Sequence, residues 1–170
     1  MKHVILASLF SVAACATAKT TAPPTTATPK IRPPLDTLAF YVGEWSCKGT
    51  QFATKDQKEE HWDAKIIVAP ELDGSWLSVH MIGPGANRTI EHKGYDPVAK
   101  KWVHVAVGLE GSWGAITSPG WTGAQMVFDD PNEHTIATFT RIDERHYSHA
   151  VANDAEHGGE RVWEKLCTKG

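Results

Sequence analysis

The chain has 170 residues, with 17 Lys and Arg against 20 Asp and Glu and a formal net charge of −3. That mild acidity, with no clustered basic face, argues against a nucleic-acid-binding protein, so no nucleic-acid partner is expected. Residues 35–170 are enough for one domain with one core.

Residues 1–14 read as a bacterial export signal, with Lys2 followed by the apolar run Val4-Ile5-Leu6-Ala7-Ser8-Leu9-Phe10. That run is too short to span a bilayer as a helix. It ends in Val12-Ala13-Ala14-Cys15, which resembles the lipobox of bacterial lipoproteins, where cleavage precedes a cysteine that receives lipid. Ordinary secretory cleavage near residues 16–18 is the alternative. Ala16 in place of Asp favours the outer membrane in the lipoprotein pattern. Residues 15–34 are rich in Thr, Ala and Pro, with Ile31 the only large apolar side chain, so they are expected to be an extended tether.

The domain 35–170 reads as all-β. After Pro33-Pro34, Asp36 is a plausible cap for one or two helical turns that present Leu35, Leu38, Ala39 and Val42 on one side. About ten short strands follow, with turn residues every ten to twelve positions. The second is the cleanest: Trp62, Ala64, Ile66 and Val68 alternate with His61, Asp63 and Lys65. Strands then fall at 75–82, 88–95 and 101–108, separated by Gly83-Pro84-Gly85-Ala86-Asn87 and Asp96-Pro97-Val98-Ala99-Lys100. Later strands are expected at about 112–117, 122–129, 133–142, 145–152 and 160–167. An open sheet of this size would leave two unpaired edges, so a closed antiparallel up-and-down barrel of about ten strands with a short N-terminal helix is the predicted fold.

Cys47 and Cys167 fall on the first and last predicted strands. Those strands are neighbours only if the barrel closes, and an exported protein folds where disulfides persist, so a Cys47–Cys167 bridge is expected. Two separate buried thiols are the alternative.

Gly43-Glu44-Trp45 after a short helix, followed by Gly49, resembles the Gly-x-Trp opening of calycins, the lipocalin and fatty-acid-binding group of barrels. Gly94-Tyr95-Asp96-Pro97, with Lys101-Trp102 beyond it, resembles a family of small bacterial calycin-like proteins, many of them secreted or lipid-anchored. The resemblance covers roughly 35–167 and implies a barrel of about ten strands with a cavity, but no transferable activity. A more distant similarity is to nitrobindin-like barrels, which bind haem through a late-strand histidine; it would select His149.

His80, His92 and His104 fall twelve apart on successive strands and would face one another in one register, as a possible trihistidine metal site. Apolar matching favours another register, with Leu77, Val79 and Met81, then Ile90, His92 and Gly94, then Val103, Val105 and Val107 inside. That register leaves His92 as the only inward histidine of the three and is the expectation here. Trp62, Val79, His92 and Val105 then line the interior, and Arg141, Tyr147 and His149 could form a polar floor that fixes a carboxylate or carbonyl. Trp113 and Trp121 lie in a glycine-rich hairpin that could border an opening or form a contact patch. No Gly-x-Ser-x-Gly, His-Glu-x-x-His or phosphate-loop motif occurs.

The expected function is therefore an envelope protein, lipid-anchored to the membrane at Cys15 and facing the periplasm, or secreted. Its barrel would bind a small, largely apolar molecule without transforming it. The alternatives are a haem- or metal-binding barrel using His149 or His92, and a structural module that docks through the Trp113/Trp121 hairpin.

Overall fold

The computed structural model describes residues 31–84 and 88–170. The expected signal segment, Cys15 and most of the tether lie outside the described residues, as does the centre of the turn at 83–87. The described chain opens with a 3₁₀ helix, Leu35–Tyr41, which buries Leu35, Leu38, Phe40 and Tyr41. Asp36 does not cap it: no side chain does, and Thr37 Oγ1 instead donates to the Pro34 carbonyl at 3.0 Å.

Eleven strands follow: β1 (Gly43–Gln51), β2 (Glu60–Glu71), β3 (Trp76–Ile82), β4 (Thr89–Asp96), β5 (Lys101–Gly108), β6 (Trp113–Ser118), β7 (Trp121–Thr122), β8 (Gln125–Asp130), β9 (Thr135–Arg141), β10 (His146–Asn153) and β11 (Arg161–Lys169). Every pairing is antiparallel, and β6 meets β8 at Thr117 and Asp129. Ten strands thus close into a ring, while the two-residue β7 pairs only with β8. The first and last strands pair as expected over seven positions from Trp45–Lys169 to Gln51–Trp163. Cys47 and Cys167 are direct partners in that register and form a disulfide, with their Cα atoms 4.0 Å apart.

The helix plugs one end of the barrel. Trp45 Nε1 donates to the Tyr41 carbonyl at 2.7 Å, and Lys169 Nζ donates to the Phe40 carbonyl at 2.8 Å while lying over the Trp45 ring. Tyr41, Trp45, Phe139 and Tyr147 pack edge to face or tilted at centroid distances of 4.8–6.2 Å. Such contacts add about 0.5–1.5 kcal/mol per pair beyond burial alone. This half of the barrel is filled by side chains.

β2 and β3 face as the alternation predicts, with Trp62, Ala64, Ile66, Val68, Leu77 and Val79 buried. β4 and β5 do not. Glu91, Lys93, Trp102 and His104 are buried, whereas Ile90 and Val107 are exposed and His92, Val103 and Val105 are only half-buried. The expected placement of His92 and Val105 inside the barrel is thereby corrected.

Larger groups decide the register. Tyr95 and Trp102 are cross-strand partners, meet at 5.7 Å and take inward positions. Gly94 must then face outward beneath Trp76, where a Cβ would stand 2.6 Å from the indole ring. The hairpin couples the two strands, because Lys93 is the partner of His104 and His92 the partner of Val105. One choice of face therefore fixes both strands. The three histidines also part company: His80 and His92 lie on the outer face, and His104 points in.

Candidate functional site

The half of the barrel away from the helix holds a cavity of about 380 Å³. Inward residues of all ten strands of the ring supply its wall, because inward side chains recur every second position. Trp62, Trp163, Met81, Ile116, Ala137 and Val151 contribute apolar surface, and Gln51, Thr89, Asp130 and Thr135 lie toward the far strand ends. Glu91, His104, His149 and Lys165 make the polar part.

That polar part is charged and almost closed to solvent. Glu91, Lys93 and Lys165 are 5%, 3% and 2% exposed. Lys93 Nζ donates to Glu91 Oε2 at 3.4 Å and lies 3.2 Å from His104 Nδ1. His104 Nε2 stands 3.1 Å from the same carboxylate without the alignment of a hydrogen bond, and Thr89 Oγ1 donates to Glu91 Oε1 at 3.3 Å. Lys165 Nζ reaches only Met81 Sδ, at 3.7 Å, and lies 5.5 Å from the Trp163 ring centre. His149 sits against Trp163, Phe139 and His104 at centroid distances of 4.9–6.2 Å, with its Nε2 buried and unpartnered.

Burial would push the Glu91 carboxyl up, but Lys93, His104 and Lys165 outweigh it and hold the group well below the ordinary carboxylate range. Burial lowers Lys93 and Lys165, and Glu91 opposes that in both. His104 is lowered by burial and then by Lys93, and His149 is pushed well down by burial and then by Lys165. Both imidazoles are held toward their neutral form, so the layer sets two lysine side chains, each lowered by burial, against one carboxylate.

Of the residues selected from sequence, Trp62 and His149 line this cavity. Val79 is fully buried on the apolar inner face rather than in the cavity wall. Tyr147 is enclosed by Tyr41, Trp45 and Phe139 at the plugged end. Arg141 lies over the Phe40 ring and pairs with Glu144, so Arg141, Tyr147 and His149 do not form one floor. His92, outside, stands 3.6 Å from Glu71. Trp113 is 75% exposed, whereas Trp121 packs on Phe40 and Phe139 and donates to Thr37 Oγ1 at 3.3 Å, so the two do not share a patch.

Sequence reasoning missed Glu91, Lys93 and Lys165, and its preferred register set His104 outside. Lys165 was legible, since it lies two residues before Cys167 and the bridge fixes that face as inward. Glu91 and Lys93 required the choice that Tyr95 and Trp102 make.

The arrangement does not suit a haem. A haem macrocycle is far larger than the cavity of about 380 Å³ beside His149, and His92 is outside the barrel. A separate group at the rim, His134, Asp154 and His157, brings one ligand atom from each residue within 4.8 Å of the others and could hold a divalent ion. Its carboxylate is already engaged, with Asp154 Oδ1 accepting from the His157 backbone at 2.8 Å and standing 2.7 Å from the His157 ring nitrogen.

Fold and site together define a ten-stranded antiparallel barrel, plugged at one end, with a charged cavity in the other half. No protein-family profile matches the chain, and no curated protein matches it.

Proposed function

We propose that this protein binds a small, largely apolar molecule in the barrel cavity without transforming it. The observation that carries the reading is the division of the interior: side chains fill the helix end, while about 380 Å³ bordered by Trp62 and Trp163 remains in the other half. That volume lies within the range of small-molecule sites, which are concave, mostly apolar and equipped with a few placed polar groups. An envelope location, by lipid on Cys15 or by secretion, is supported by the Cys47–Cys167 bridge, which persists in oxidising compartments. The calycin-like reading is supported by closure of ten strands behind a short helix locked down by Trp45.

Native mass spectrometry of the purified protein after incubation with small-molecule extract tests the proposal. A discrete added mass is expected, and Ala106→Phe, which intrudes on the cavity wall, should abolish it. An added mass that survives this substitution, or no retained molecule from any extract, would overturn it.

A further inference from the structure

Lys165 is the anomaly of the interior. Its ammonium is nine-tenths buried, its only polar contact is a thioether, and among the described residues no carboxylate lies within 4.0 Å of it. Glu91 acts on Lys165 only from beyond 4.0 Å, while its oxygens meet Lys93, His104 and Thr89 directly. Asp130, the other acid of the wall, is committed to its own turn, where Oδ1 accepts from the backbone N–H groups of Asn132 and Glu133 at 3.1 and 3.2 Å. A buried charge with no partner is costly, and a ligand that supplies the missing anion removes that cost.

The shape of the site says what else the anion must carry. A volume of about 380 Å³ accommodates about a dozen non-hydrogen atoms, at roughly 30 Å³ each as in liquid water. Trp163 stands beside Lys165, and the Trp62 indole lies over Gly49, the strand partner of Lys165. Flat apolar surface therefore borders the ammonium on two sides. The neutral His149, the partner of Lys165 on β10, adds a ring nitrogen that lacks a hydrogen-bond partner.

We infer that the cavity is a site for an aromatic monocarboxylate of about a dozen non-hydrogen atoms, its carboxylate paired with Lys165 and its ring against Trp62 and Trp163. This inference rests on the ligand-binding reading above and names the chemical class of its ligand.

Calorimetric titration of the full folded protein with naphthoate and with naphthalenemethanol, which has the same ring system and no charge, tests it. The wild-type protein should bind the acid at least about tenfold more tightly than the alcohol, and Lys165→Met should erase that preference while leaving alcohol affinity within about twofold. Lys165→Gln provides a second neutral variant, and Lys48→Met, on the exposed face of β1, should keep the preference. Equal binding of the two probes by the wild-type protein overturns the carboxylate assignment while leaving the cavity a binding site. A preference that persists in both Lys165 variants overturns the role of Lys165. Failure of both probes to bind overturns this inference and, if the mass-spectrometric experiment is also negative, the reading beneath it.

Discussion

The most direct test of the interior is to remove Glu91, the one buried carboxylate among the described residues. Glu91→Gln preserves volume but leaves Lys93 and Lys165 facing each other's field with no anion, and it removes the charge behind the contacts of 3.4 Å to Lys93, 3.1 Å to His104 and 3.3 Å to Thr89. Removing one partner of a buried ion pair costs about 3–5 kcal/mol, because the other charge stays desolvated. Lys93→Met in the same background removes one stranded cation, so the double variant should recover about 1–3 kcal/mol relative to Glu91→Gln alone. Glu44, paired with Lys65 on the outer face, gives a matched control: Glu44→Gln should cost no more than about 1 kcal/mol. The assay is equilibrium urea unfolding followed by tryptophan fluorescence. If Glu91 pointed to water, as the apolar pattern of β4 alone would have it, Glu91→Gln would fall within about 0.5 kcal/mol of wild type. That result would refute the register of the β4–β5 hairpin and everything built on the charged layer.

Breaking the Cys47–Cys167 bridge by Cys47→Ala with Cys167→Ala should cost up to about 5 kcal/mol, from the loop entropy of a 120-residue separation, and be read as a lower urea midpoint; a change under about 1 kcal/mol would count against it. Gly49→Ala should drive the Trp62 ring off β1, since a Cβ there would stand 2.2 Å from it; a cost of about 1–3 kcal/mol with a shifted Trp emission is expected, and an unchanged spectrum would speak against the packing. Stability should fall as the medium is acidified. His104 and His149 are lowered in the folded state, so the unfolded chain takes up protons first below about pH 6.5, and Glu91 adds to the loss below about pH 4.3. Above about pH 10 the slope reverses for Tyr41 and Tyr147, whose phenols are raised by burial and lose protons more readily when unfolded; a melting temperature flat from pH 7 to 5 would contradict the histidine part.

The barrel was legible because closure leaves marks that do not depend on which face is inward. Turn residues at regular spacing set the strand count, and Cys47 with Cys167 marked the strands that had to meet. The site was not legible to the same depth, because on β4 and β5 the more apolar row is the outer one. Val103, Val105 and Val107 make a convincing inner row in isolation, yet they lie on the outer face beside Ile90 and Trp113. A charge in a strand reads as an outward position unless its partner is known. Here the partners come from two neighbouring strands, with Glu91 and Lys93 on β4 and His104 on β5. Lys165, on the far side of the closure, could be placed inside only through the bridge.

The two halves of the barrel divide the physical work. Around the helix, Tyr41, Trp45, Phe139 and Tyr147 fill the bore and the disulfide ties the first strand to the last, so the scaffold is anchored where no ligand need enter. The other half departs from an all-apolar core by placing five ionisable side chains in the interior, where well-packed hydrophobic residues of similar volume would often be at least as stable. Three of the five, Glu91, Lys93 and His104, lie within 3.4 Å of one another in one cluster, and Lys165 and His149 stand outside it. A sequence shaped for stability alone would neutralise that remainder, as a single Lys-to-Met change could. Lys165, buried beside an aromatic wall with no carboxylate in contact, is therefore the feature that a packed core does not explain and that the proposed carboxylate would.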